Sequence, residues 1–176
     1  MTIALATDAP TFDLPGVDGQ QHSLADYADK PALAVVWSCN HCPYVQAWEG
    51  RMVALQRELG DQGFQLVAIS SNDADAYPED SFAAMKARAE EQGFNFDYLY
   101  DEDQSVLEAY GAERTPEVFL FDRDRRLVYH GAIDDSREEE GVTQEYLRDA
   151  IVAVLAGDSP AEAETPAVGC SVKRKP

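Results

Sequence analysis

The amino-acid sequence predicts an α/β fold, a three-layer sandwich in which a central sheet lies between two layers of helices. Residues 32–37 are a continuous apolar run and residues 64–70 (FQLVAIS) are a second, largely apolar segment; such segments are typical of parallel strands buried on both faces. Between them, apolar side chains recur at steps of three and four residues, which indicates one face of an α-helix. The residues on this face are Val45, Trp48, Met52, Leu55 and Leu59.

Shorter elements flank this βαβ unit in a chain of 176 residues, long enough for one domain with a hydrophobic core. Residues 11–15 and 20–24 are predicted to form a hairpin around the turn residues 16–19, followed by a short helix over 25–30. The later predictions are helices at 78–92 and 104–110, a strand at 96–100, a hairpin of 117–121 with 127–133, and a final helix at 143–155.

The predicted domain covers residues 1–157. Residues 158–165 are acidic and contain proline, which indicates a mobile linker, and a basic tail that carries Cys170 follows. Residues 158–176 are therefore expected to form a linker and a tail. The acidic pair Asp134–Asp135 is expected on the solvated surface.

The composition is marked by a formal net charge of −19 and a pI near 4.3. Such a chain repels phosphate backbones and anionic lipids, so neither nucleic acid nor a membrane is expected as a partner. The first residues lack the features of a signal peptide, and no apolar run reaches the ~18 residues of a membrane span. We therefore expect a cytoplasmic protein, in a compartment where structural disulfides are rare. The acidity suits a high-salt cytoplasm or simple solubility.

Two of the three cysteines, Cys39 and Cys42, stand three positions apart between the first buried strand and the helix. A CxxC pair in a βαβ setting indicates a redox site. Unpaired N–H groups and the helix dipole stabilise an anion at the start of a helix. We predict that Cys39 has a lowered pKa and attacks, and that Cys42 resolves the mixed disulfide. His41 can add positive charge or a hydrogen bond.

A second candidate element is Thr115-Pro116, just before a predicted strand. We predict that this X-Pro bond is cis, although the residues alone also allow a trans proline at the first position of a strand. Arg114 is expected beside the site. Trp37 and Asn40, which flank the first cysteine, are candidate auxiliary residues.

These motifs resemble the thioredoxin superfamily, and within it the redoxin branch that includes thiol-specific antioxidant and cytochrome-maturation reductases. The matching pieces are Ala9-Pro10-x-Phe12-x-Leu14, Trp37-x-Cys39-x-x-Cys42 and Thr115-Pro116. The chain looks still more like a bacterial subgroup of small thioredoxin-family proteins. The segments shared with that subgroup are CNHCPYV at 39–45, YPED at 77–80, DExQ at 101–104, RTPEVFLFD at 114–122 and GCxxK at 169–173.

The resemblance implies a thioredoxin-like fold with an N-terminal hairpin and a βα insertion ahead of Thr115. It also implies that Pro116 is cis, faces the CxxC and shapes the substrate groove. Many thioredoxins hold a buried acid six positions before the first cysteine, where this chain has Leu33. Glu49 and Asp73 are the candidates to replace it as proton acceptor.

The function implied by the resemblance is thiol–disulfide exchange through the Cys39–Cys42 pair, with protein or small-thiol substrates. A dithiol protein would supply the electrons, and no organic cofactor is needed. His41 resembles the histidine in the CGHC site of disulfide isomerases, which stabilises the thiolate and makes the disulfide more oxidising. Cys170 is either a free tail thiol or a third redox thiol on a flexible arm.

Two other functions are open. A peroxiredoxin-like thiol peroxidase would react through Cys42, which precedes Pro43, with Arg114 beside it; Cys39 then stands where those enzymes carry threonine. A copper or zinc carrier would use the CxxC with a further ligand, since CxxC is also half of a zinc site. The available further ligands are Cys170, His41 and His130, although His22 and His130 are expected to be structural.

Overall fold

The computed structural model describes all 176 residues. In chain order its strands are β1 (Asp13–Pro15), β2 (Gln21–Ser23), β3 (Ala32–Ser38), β4 (Phe64–Ser70), β5 (Asp97–Tyr100), β6 (Arg114–Thr115), β7 (Glu117–Phe121), β8 (Leu127–Gly131) and β9 (Cys170–Ser171). The α-helices are α1 (Pro43–Leu59), α2 (Phe82–Gln92), α3 (Ser105–Tyr110) and α4 (Tyr146–Leu155). None of these helices combines the length and apolar character needed to span a bilayer.

The central sheet has five strands in the order β5-β4-β3-β7-β8. The first three run parallel, while β7 pairs antiparallel with both β3 and β8. The two apolar runs therefore lie side by side, as their composition predicts. Helices cover both faces, so the predicted three-layer α/β/α sandwich is confirmed. The carboxyl end of β3 leads directly into the cysteine pair.

Strand β3 shows how the two cores are built. Its side chains alternate between the faces of the sheet, as in any strand, and every one is buried. Ala34 and Val36 point toward α1, α2 and α4, whereas Val35 and Trp37 point toward α3 and the N-terminal hairpin. Burial of each large apolar side chain contributes about 1.5–3 kcal/mol. Because both faces are filled, the loop after β3 starts from a firmly held position.

The C-terminal segment lies on the domain instead of extending from it. Backbone hydrogen bonds join His130 to Ala163 and Thr165, at 2.9 and 3.0 Å. Further on, β9 pairs antiparallel with β6, and Val172 is buried in the core beneath α3. The prediction of a mobile linker and tail at 158–176 is therefore wrong where these contacts hold the segment on the domain. Composition marked the segment as polar, but backbone pairing satisfies its groups.

Asp134 also departs from the sequence prediction, because it is 5% exposed instead of solvated. Its carboxylate accepts hydrogen bonds from Trp48 Nε1 at 2.8 Å and from Arg51 at 2.7 Å. Both donors lie near the middle of α1, which places this part of the helix against the loop after β8. An acidic residue in a polar stretch indicates a surface group, but the partners that bury Asp134 lie more than 80 positions away in the sequence.

Candidate active site

The cysteine pair occupies the turn between β3 and α1. Helix α1 begins at Pro43, a favoured residue at the first helical position, and Cys42 is its N-cap. The second cysteine therefore precedes the helix instead of lying one turn inside it. Both thiols are buried, with Cys39 1% and Cys42 0% exposed. A substrate can reach either sulfur only after the residues that cover the pair move.

Both sulfurs lie against Thr115, the residue before Pro116. The Thr115–Pro116 peptide bond is cis. Cys39 Sγ is 3.7 Å from Thr115 Oγ1, and Cys42 Sγ is 3.4 Å from the carbonyl oxygen of Thr115. The structure thus brings together the two motifs that the sequence places 70 residues apart.

The two thiols form one electrostatic unit. Hydrogen bonds, the largest from the Cys39 thiol, outweigh burial and lower the pKa of Cys42 to about 4. The same bond, burial, and the negative charge of Asp80 raise the pKa of Cys39. Because the two thiols share one proton, the pair holds one negative charge at the start of α1, and which sulfur attacks a substrate stays a prediction.

Asp80 is the buried acid of this site, and sequence reasoning missed it. It belongs to a 3-10 turn, Pro78–Asp80, and is 0% exposed. Its carboxylate accepts hydrogen bonds from the backbone N–H groups of Asn40 (2.7 Å) and His41 (3.3 Å), from Asn72 Nδ2 (2.8 Å), and from His41 Nδ1. Cys39 Sγ, His41 Nδ1 and an Asp80 oxygen all lie within 4.8 Å of one another.

The two acids predicted as proton acceptors, Glu49 and Asp73, make other contacts. Glu49 forms a paired salt bridge with Arg88, with its shorter contact at 2.6 Å. Asp73 accepts a hydrogen bond from a backbone N–H in its own loop. The signal for Asp80 was the YPED segment at 77–80, which the resemblance singled out without a role. Its position opposite the thiols depends on the long-range path of the chain after β4.

His41 and Asn40 are held in place from two sides. The His41 ring stacks on Tyr77 with centroids 5.5 Å apart and planes 3° from parallel. Asn40 donates from its side chain to the Glu79 carbonyl at 2.9 Å and accepts from the buried Tyr98 hydroxyl at 2.8 Å. These contacts order the CxxC turn, so both residues belong to the site as predicted candidates.

Trp37 and Arg114 lie near the site without the roles of a catalytic group. Trp37 donates to Ser71 Oγ at 3.1 Å and packs in the opposite core, while the apolar cluster around the thiols does not include it. Arg114 is exposed. With Cys39 at the threonine position and this arginine facing solvent, the peroxidase alternative has little geometric support.

The metal-carrier alternative requires ligands that the structure does not gather. The one group of possible ligands around the CxxC is Cys39, His41 and Asp80, without Cys42, Cys170 or His130. His130 instead bonds Glu117 through Nε2 at 2.7 Å, a structural role. The Asp80 carboxylate accepts four hydrogen bonds within the site, and a metal ion would have to displace them.

A turn with two buried thiols beside a cis proline defines a dithiol redox protein of thioredoxin-like fold. The AhpC/TSA family profile matches residues 5–130, which covers most of the chain. The protein therefore belongs to the AhpC/TSA family, as the resemblance to the redoxin branch predicts.

Several known proteins are similar to this chain. A hypothetical protein from Sinorhizobium meliloti 1021 is 42% identical, with a TM-score of 0.94 over 99% of this chain and 97% of that one. The thioredoxin domain of a thiol-disulfide oxidoreductase from Bacteroides vulgatus shares the fold, with 20% identity and a TM-score of 0.62 over 73% and 89% of the two chains. Thiol-disulfide oxidoreductase ResA from Geobacillus thermodenitrificans is 25% identical over 127 residues, 71% of this chain and 67% of that protein. The match therefore spans about two thirds of that relative.

Proposed function

We propose that this protein is a thiol–disulfide oxidoreductase in which Cys42 attacks a substrate disulfide and Cys39 resolves the product. The similarity to ResA supports the reaction class. The observation that carries the assignment is the buried cysteine pair at the start of α1, beside the cis Thr115–Pro116 bond. The thiolate is the reactive form in exchange, and the lowered pKa of Cys42, about 4, favours it over Cys39 as the attacking sulfur.

In the first step the Cys42 thiolate attacks one sulfur of the substrate disulfide. A Cys42–substrate bond forms, the substrate S–S bond breaks, and the second substrate sulfur leaves as a thiolate. Cys42 is then no longer an anion that accepts the Cys39 proton. Because this hydrogen bond is the largest cause of the raised pKa of Cys39, the first step itself prepares Cys39 to ionise.

In the second step Cys39 transfers its proton to the His41–Asp80 pair and attacks Cys42 Sγ. The Cys39–Cys42 disulfide forms and the remaining substrate sulfur leaves as a thiolate. The substrate has gained two electrons, and the protein dithiol has lost them. A dithiol electron donor restores the reduced pair by the same exchange in reverse. Asp80 thus supplies the acid that Leu33 cannot.

The substrates are proposed to be disulfide-containing proteins or small disulfides, in the cytoplasm. That location is supported by the acidic composition and by the reducing poise of the compartment, which keeps dithiols ready to donate electrons. An antioxidant role would follow as disulfide repair. Fractionation with an antibody to the native protein tests the location, and recovery in a membrane or extracellular fraction would contradict it.

Single-cysteine variants in a Cys170→Ser background test the assignment. With glutathione disulfide as the probe, Cys39→Ser is expected to hold one glutathionyl group on Cys42, and Cys42→Ser to react far more slowly. Adduct formation at Cys39 in the Cys42→Ser variant would reverse the two roles. Failure of both the wild-type and the Cys170→Ser proteins to reduce insulin disulfides with a dithiol donor would remove the function itself.

A further inference from the structure

The tail is bound across the candidate active site by backbone pairing. In the β6–β9 ladder Thr115 pairs with Cys170 and Arg114 with Ser171. The backbone N–H of Val172 donates to the Glu113 carbonyl at 3.0 Å. Strand β6 ends at Thr115, which contacts both thiols and precedes Pro116. The tail therefore adds a strand to an edge that faces the cysteine pair.

Side chains fix the register of the tail beyond this ladder. Asn72 accepts from the N–H of Lys173 at 2.8 Å, and the Lys173 carbonyl accepts from the Asp73 N–H at 2.8 Å and from Gln104 Nε2 at 3.0 Å. Gln104 also accepts from the N–H of Lys175 at 2.9 Å. These residues follow β4 and β5, which places the tail over the carboxyl ends of the parallel strands. Segment 169–175 is thus held at a defined position.

Gly169 sets how closely the tail approaches. A Cβ atom there would lie 2.0 Å from the Thr115 carbonyl oxygen and 3.2 Å from Pro116 N, both backbone atoms. No side chain fits without displacing the strand. Glycine therefore allows the contact that brings the next residue, Cys170, to the cysteine pair.

Cys170 packs against the cluster of Cys39, Cys42 and Val45. Its thiol and backbone N–H lie near enough to Cys42 to lower the pKa of that thiol. Burial and the proximity of Cys42 raise the pKa of Cys170 to about 11, while the charges of Lys173 and Arg114 act in the opposite sense. Cys42 therefore has two neighbouring thiols, Cys39 and Cys170.

We propose that segment 169–173 occupies the substrate groove as a built-in strand and that Cys170 is a third redox thiol, which exchanges with Cys42. This proposal rests on thiol–disulfide exchange at Cys42. In the oxidised protein the Cys170 thiolate attacks Cys42 Sγ, the Cys39–Cys42 bond breaks, and a Cys42–Cys170 bond forms. Cys39 leaves as a thiolate and takes up the proton that Cys170 lost, so the electrons balance within the chain.

The exchange has a regulatory consequence. A Cys42–Cys170 disulfide ties the tail covalently over the site and closes the groove to other disulfides. A dithiol donor that attacks Cys170 Sγ releases the tail and returns the thiolate to Cys42. In the reduced protein the tail is held without a covalent bond, by hydrogen bonds and by the packing of Val172 in the core, so a substrate must displace it. This local opening governs how fast the buried thiols react.

The test uses the full chain with limited diamide, followed by intact-mass measurement and peptide mapping under acid conditions. The Cys39→Ser variant is expected to lose two hydrogens and to yield a linked Cys42–Cys170 peptide. Cys39→Ser with Cys170→Ser provides the background and should yield no internal disulfide. A Cys39→Ser protein that forms only intermolecular disulfides or diamide adducts would overturn the proposal.

Gly169→Val provides a second test that leaves all three cysteines in place. The added side chain lifts the tail, so alkylation of Cys42 by iodoacetamide is expected to rise about tenfold or more, in proportion to the open fraction. Gly50→Ala is the matched control, because a Cβ at Gly50 meets no atom within 4 Å. Equal alkylation rates in Gly169→Val and Gly50→Ala would show that the tail does not cover the site.

Failure of this proposal differs from failure of the proposed function. If Cys170→Ser reduces insulin disulfides but Cys42–Cys170 never forms, exchange at the CxxC stands and the tail has no redox part. If neither the wild type nor Cys170→Ser exchanges disulfides, the function itself fails.

Discussion

The carboxylate of Asp80 accepts a hydrogen bond from Nδ1 of His41, 39 positions earlier in the chain. The same carboxylate binds the two backbone N–H groups of the CxxC turn, so one buried acid both shapes the turn and orients the imidazole. Cys39 is the thiol beside this pair. The arrangement assigns proton handling to Cys39 and leaves the charge to Cys42.

Asp80→Asn tests that assignment. Loss of the carboxylate relieves its repulsion of a Cys39 thiolate, worth about tenfold in ionisation for one pKa unit. It also removes the base that takes the proton, worth about 10²-fold or more. The second effect is larger, so release of the mixed disulfide is expected to slow by about tenfold. Rapid-quench mass analysis of the glutathionyl intermediate measures this step.

The exposed Asp75→Asn variant is the matched control for Asp80→Asn. Circular dichroism and thermal melting establish that both proteins are folded. His41→Gln keeps the Asp80 carboxylate and should slow the same step. Unchanged release in both site variants would exclude the pair as proton acceptor.

The thiolate on Cys42 predicts a titration at acid pH. The pKa of Cys42 is lowered to about 4, so the thiolate forms as pH rises through about 4 and is lost below it. Absorbance at 240 nm between pH 3 and 8 should show one step with its midpoint near pH 4. Cys42→Ser should abolish the step. Cys39→Ala should move the midpoint to higher pH, because the bond from Cys39 is the largest cause of the shift. A wild-type midpoint above pH 8 would contradict the charge assignment.

Tyr98→Phe probes the support of the CxxC turn. Its hydroxyl donates to Asn40 Oδ1 at 2.8 Å, and the ring is fully buried. Removing this donor leaves a buried acceptor unpaired, so the free energy of unfolding is expected to fall by about 1 kcal/mol. Urea denaturation measures the change. Tyr146→Phe, whose hydroxyl makes no hydrogen bond, should show no measurable change, and equal stability of the two variants would argue against this support.

Asp134→Ala tests the buried ion pair under α1. The change leaves the Arg51 guanidinium largely buried beside Trp48 without its carboxylate, so a loss of about 3 kcal/mol in unfolding free energy is expected. Equilibrium urea unfolding again provides the measurement. The exposed Asp158→Ala is the control and should leave the midpoint where it is. A similar midpoint for both variants would show that the Asp134–Arg51 pair does not stabilise the fold.

The main helices and strands could be predicted from the sequence because the patterns that indicate them are local. The period of three to four between Val45 and Leu59 indicates a helix wherever it occurs, and α1 covers that stretch. The two apolar segments form β3 and β4, and their pattern is likewise local to the chain. The two-residue strands β6 and β9 carry no such pattern, since each exists only through pairing with a segment far along the chain, Arg114 with Ser171 and Thr115 with Cys170.

The sequence by itself determined the class of fold, the cysteine pair and, through resemblance, the Thr115–Pro116 motif opposite it. Only the tertiary structure showed that a buried acid, Asp80, binds the CxxC turn and that the tail with Cys170 returns to the cysteine pair. The physical reason is that secondary structure follows from neighbours along the chain. A pKa and a hydrogen-bond partner instead depend on groups that only folding brings within a few ångströms.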